Sequence, residues 1–128
     1  MTLIGSGAPP DGEAAWQFAL REVTAAWLAR TGASGRIPKG WQREDYPDED
    51  VLRDAGFARV DRREFTDRHA STVDDLIGFL RSGSATSRDA MGEHAEKFYA
   101  DVRARLLEVD GRGEYEQVVS HGVVLARR

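Results

Sequence analysis

Three histidines, a few loop aromatics and one short glycine cluster are the first candidates for chemistry in this 128-residue chain, which has no cysteine. His69 stands beside Asp67 and Arg68. Imidazole titrates near neutral pH, so a neutral His69 could take a proton from a nucleophile. A surface-loop histidine near the charged Asp67 and Arg68 is the plainer reading. Trp41 and Tyr46 fall in a glycine-rich stretch, where loop aromatics can contact a ligand or fold back onto a neighbouring helix. His94 sits between Glu93 and Glu96 without the two-histidine spacing of a metal site, and His121 lies inside an apolar run, as a packed or edge residue would. Gly5-Ser6-Gly7 follows a short apolar segment, but the next glycine is Gly12, with Pro9 and Pro10 between. No strand with a terminal acid follows at the distance a dinucleotide loop requires. It reads as a turn that ends a strand. No nucleophile stands at a fixed spacing from a base, so no catalytic, cofactor-binding or metal-binding residue is assigned.

The elements that would position these residues follow from spacing. Thr2–Ile4 reads as a short strand. Residues 13–30 read as a helix whose inner stripe is Trp16, Leu20, Val23 and Trp27, widened by Phe18 and Leu28. Residues 32–46 read as a loop. Pro47 can open a second helix, with Asp48, Glu49 and Asp50 complementing its dipole and Val51, Leu52 and Ala55 facing inward. Phe57 to Phe65 reads as a strand, leaving His69 in the link to the next helix. Ser71 or Thr72 caps that helix, with Asp74 or Asp75 completing a capping box and Val73, Leu76, Ile77, Phe79 and Leu80 facing inward. Ser87 can cap one long helix to about Val109, with Met91, Ala95, Phe98, Val102 and Leu106 along one side. Residues 110–113 form a turn, and Tyr115 to Ala126 a final strand. The expectation is one α/β domain over 1–128.

Composition narrows the class. Hydrophobic residues are 41% and charged residues 31%, as in a globular domain. The formal net charge is −4, against the basic field that phosphate binding demands, so no nucleic acid is expected. The apolar runs are short, so neither a membrane span nor a secretory signal is expected. Absence of cysteine fits a cytoplasmic protein.

The run Ala55-Gly56-Phe57 through Val60 and Phe65, then Thr72-Val73-Asp74-Asp75-Leu76-Ile77-Gly78-Phe79-Leu80-Arg81-Ser82, resembles the C-terminal half of class I S-adenosylmethionine-dependent methyltransferases of the small-molecule type. The similarity continues through Gly92, Phe98, Arg103, Leu106 and Leu107 to Val123-Val124-Leu125-Ala126-Arg127-Arg128, and is loose over residues 1–45. It implies a partial Rossmann-like fold: a three-stranded sheet with its last strand antiparallel and central, flanked by about four helices. By the same resemblance Thr2–Ile4 is the family's fifth strand, and Trp41 and Tyr46 belong to a substrate-covering insertion. His69 then lies in a neighbourhood that can face substrate. The family's cofactor is S-adenosylmethionine, but its glycine-rich half has no counterpart here. The resemblance therefore implies a chain that binds no cofactor and transfers no methyl group alone. A fifth strand without its usual neighbour would leave Thr2, Leu3 and Ile4 as an open edge, inviting self-association or a partner. The alternatives are a non-catalytic interaction or oligomerisation module and a small ligand-binding protein.

Overall fold

The computed structural model describes residues 1–32 and 48–128. In chain order they form β1 (Thr2–Ser6), α1 (Ala15–Arg30), α2 (Asp48–Asp54), β2 (Arg59–Thr72), α3 (Val73–Ser82), α4 (Arg88–Met91), a 3-10 turn, α5 (Ala95–Val109) and β3 (Glu114–Arg127). The strands make one sheet in the order β1-β3-β2, so the C-terminal strand is central. β1 runs antiparallel to β3, with Thr2 opposite Leu125, Ile4 opposite Val123 and Ser6 opposite His121. The α/β class and the central antiparallel last strand are as the sequence led us to expect.

By its contacts the chain divides into two compact units, and β2 and β3 contribute to both. The first holds residues 1–8, 48–68 and 118–128 of the described chain. Its small core joins Leu52 of α2 to Val124 and Ala126 of β3, with Leu3, Phe57 and Val60 against them. Only Leu52 of the α2 set is buried; Val51 and Ala55, expected inside, are exposed. A seven-residue helix can turn only a narrow stripe to a sheet.

The second unit holds residues 9–32 and 69–117 of the described chain. Here α1 packs along α5, with Trp16, Leu20, Val23 and Trp27 meeting a core that includes Phe98, Val102 and Leu106. The Trp27 indole N–H donates to Asp101 Oδ2 at 2.8 Å, so the buried ring keeps its polar atom satisfied. Phe18 is 54% exposed rather than part of the stripe. It lies two residues from Trp16, about 200° around the helix, and the Arg21 guanidinium covers its ring at 4.6 Å. Thr72 caps α3: its side chain accepts from the Asp75 N–H, and Asp75 Oδ2 accepts from the Thr72 N–H. Phe79 is partly exposed, against expectation, while Val73, Leu76, Ile77 and Leu80 are buried. The expected single helix from Ser87 is broken. Ser87 caps only the one-turn α4, because Gly92 takes φ +55°, a left-handed conformation that glycine adopts without strain. The chain then passes through a 3-10 turn into α5.

The loop before α1 is held by two side chains of that helix. Gln17 Oε1 accepts from the Ala14 N–H at 3.0 Å, the half of a capping box that the third helical residue supplies; alanine has no side-chain acceptor for the other half. Gln17 Nε2 donates to the carbonyls of Pro9, at 3.0 Å, and Asp11. Arg21 Nη1 donates to the carbonyls of Pro10 and Gly12.

Candidate ligand site and the β1 edge

The first unit carries a concavity of about 500 Å³ lined by Leu3 to Gly7, Asp48, Arg62, Glu64, Ser120, His121, Gly122 and Val124. Its floor comes from a coincidence of register: Gly5 pairs directly with Gly122. Opposed residues in an antiparallel pair point to the same face, so two adjacent cells of the sheet lack side chains. A Cβ at Gly5 would meet nothing within 4 Å, and one at Gly122 would lie 3.6 Å from Arg62 Nη2. Arg62 of β2 therefore reaches across bare backbone.

Acids hold Arg62 there. Its Nη1 lies 3.1 Å from Glu49 Oε1 and its Nε 3.0 Å from Glu64 Oε1. The guanidinium pKa is raised by hydrogen bonds to Glu49 first and Glu64 second. The Glu49 carboxyl is held below its ordinary value, chiefly by a hydrogen bond to its own backbone N–H and then by Arg62. Glu49 Oε2 is buried without a hydrogen-bond partner among the described residues. The arrangement can orient a small polar molecule against fixed charges. Among the described residues no hydrogen bond pairs His121 with Ser6 or Ser120 there. Among the described residues no group of His, Asp and Glu could hold a metal ion.

The residues singled out in the sequence lie elsewhere. Trp41 and Tyr46 fall outside the described residues. His69 is not in a linking loop: β2 continues to Thr72, which makes it an exposed strand residue of the second unit. It does not line the concavity. His121 does line it, opposite Ser6. The His94 ring lies 6.2 Å from that of Trp27, and its Nε2 is 3.7 Å from Glu93 Oε1, which suits a structural residue. Sequence reasoning missed Arg62 and the Gly5–Gly122 pair. The only signal was glycine within a strand, which marks close approach of another group.

Among the described residues, the Gly5–Gly12 segment does not fit S-adenosylmethionine. A glycine-rich cofactor loop needs free N–H groups and open space beside the backbone. Gly5 and Ser6 are strand residues, and the Gly7 N–H already donates to the Ser120 carbonyl at 3.1 Å. Gly12 has φ +128°, but the Gln17 side chain fills the space beside it.

The outer side of β1 is the other exposed feature. Met1 and Ala126 exchange both backbone hydrogen bonds, at 2.7 and 2.8 Å. Hydrogen-bonded pairs alternate along an antiparallel ladder, so Leu3, Gly5 and Gly7 face β3. Thr2, Ile4 and Ser6 turn their N–H and C=O groups away from it. The Ile4 side chain is 78% exposed. No family model matches this chain, and no curated protein matches it.

Proposed function

We propose that this chain is a non-catalytic, methyltransferase-like interaction module that acts by pairing the β1 edge with a strand of another polypeptide chain. The observation that carries this reading is the β1 edge itself, with three outward N–H and three outward C=O groups on Thr2, Ile4 and Ser6. The methyltransferase likeness rests on the order β1-β3-β2 with β3 antiparallel in the middle, the arrangement the sequence resemblance implies. The poor fit to S-adenosylmethionine supports the absence of methyl transfer by the chain alone. A cytoplasmic setting suits a chain without cysteine.

Calorimetric titration with S-adenosylmethionine tests the non-catalytic part. No saturable heat is expected, and saturable binding in the micromolar range would overturn it. Hydrogen exchange of the dilute protein tests the edge. Slow amides are expected at Leu3, Gly5 and Gly7, and fast ones at Thr2, Ile4 and Ser6. A second reading, a small-ligand protein, is favoured by the charged concavity over Gly5 and Gly122. Chemical-shift changes clustered at Arg62 and Gly122 on addition of small amino or carboxylic acids would support it over the first.

A further inference from the structure

We infer that the strand β1 accepts is β1 of a second copy, joined about a two-fold axis at Ile4. This rests on the edge-pairing reading above and names its partner and register.

Among the described residues, charge marks only one of the sheet's two edges. β2, on the far side of β3, carries seven charged residues in fourteen: Arg59, Asp61, Arg62, Arg63, Glu64, Asp67 and Arg68. Charge along an edge deters pairing with other strands. β1 reads Thr-Leu-Ile-Gly-Ser, with no charge and no proline. Its own side chains set no charge against the same strand of a second copy.

The register follows from which groups face outward. In an antiparallel pair of identical strands, opposed residue numbers have a constant sum. A sum of eight places Ile4 opposite Ile4 of the second copy and Thr2 opposite Ser6. Every outward N–H and C=O of Thr2, Ile4 and Ser6 then has a partner, making six hydrogen bonds. Sliding by two residues either way leaves four. The two Ile4 side chains become direct cross-strand neighbours on one face, so the most exposed apolar residue of the strand gains a contact. Two sheets become one of six strands, β2-β3-β1-β1-β3-β2. Such an interface is self-complementary, as two-fold symmetry requires. Five residues of edge bury far less than the ~1,200 Å² of a stable interface, so the dimer is weak and forms only at high protein concentration.

Sedimentation equilibrium of the whole chain from about 10 μM to about 1 mM (the weak end of the affinity scale), with exchange measured at both ends, is the test. Wild type is expected to pass reversibly from monomer to dimer, with at least tenfold slowing of exchange at Ile4 and Ser6. Ile4→Pro removes an outward N–H and leaves the ladder to β3 intact, and it should stay monomeric with an unchanged circular dichroism spectrum. Ile4→Lys keeps that N–H but sets two like charges across the axis, and should stay monomeric too. A wild type that remains monomeric to about 1 mM (the weak end of the affinity scale) overturns the self-pairing. So does a dimer that survives both substitutions. In either case slow Leu3 and Gly5 amides in dilute protein leave the edge reading standing, whereas fast ones overturn both.

Discussion

Gln17 is a buried polar residue whose side chain ties the loop of residues 9–14 to α1, and its replacement by methionine isolates that role. Methionine keeps the length and most of the volume of glutamine but makes none of its hydrogen bonds. Three are lost: the one accepted from the Ala14 N–H, and those donated to the carbonyls of Pro9 and Asp11. Ala14 and Asp11 are exposed, so water can replace part of what is removed. Each bond then counts near its net value of about 1 kcal/mol, not its full desolvation cost, giving about 2–3 kcal/mol in all. For a chain of this size that corresponds to a fall in Tm of roughly 8–12 °C. Urea denaturation followed by tryptophan fluorescence is a suitable assay, because Trp16 adjoins Gln17 in the same core-facing turn. Gln17→Glu keeps an acceptor for Ala14 but turns a carboxylate toward two carbonyls, so it should be no more stable than the methionine variant. A loss below about 0.5 kcal/mol for Gln17→Met would mean the loop is not held by this side chain.

Two further expectations concern protonation. Asp110 titrates at about 2, because the Arg112 side chain and then the Arg112 backbone N–H donate to its carboxylate. The native pKa is depressed, so the stabilisation it brings is present above the ordinary value of 3.8 and disappears as pH falls towards 2. Carboxyl NMR should show this midpoint, and Arg112→Ala should move it up towards 3.8; an unmoved midpoint would refute the pairing. Burial pushes the Tyr99 hydroxyl above its usual 10.0, and that hydroxyl donates to the Thr86 carbonyl at 2.7 Å. Its native pKa is raised, so its contribution holds below pH 10 and is lost as pH climbs beyond. Tyr99→Phe should cost about 1–2 kcal/mol at neutral pH in thermal unfolding, and a neutral substitution would contradict the bond.

Helical spacing made much of the second unit legible. Trp16, Leu20, Val23 and Trp27 are buried where a 3.6-residue period places them, as are Met91, Ala95, Phe98, Val102 and Leu106. Spacing does not report how wide a stripe the partner can cover, so Phe18, Val51 and Phe79 were misplaced. Nor does it report backbone conformation, so the break at Gly92 was not foreseen. The second half of β2 was hidden for another reason. Thr66 to Ala70 are all exposed, so no apolar alternation marks them as a strand. Their conformation is a matter of backbone pairing within the sheet. The concavity was illegible because it depends on which residue of β3 lies opposite Gly5, and a glycine after a three-residue apolar run reads as an end instead of a continuation.

The whole reading of the β1 edge depends on β3 lying antiparallel between β1 and β2. Hα–Hα nuclear Overhauser effects in uniformly labelled protein test it directly, since they are strong only between opposed residues that are not hydrogen-bonded to each other. They are expected between Thr2 and Leu125, Ile4 and Val123, and Ser6 and His121, together with a second set from β3 to β2. A spectrum in which β3 shows such contacts to one neighbour alone, or in which β1 shows them shifted by a residue, would contradict it.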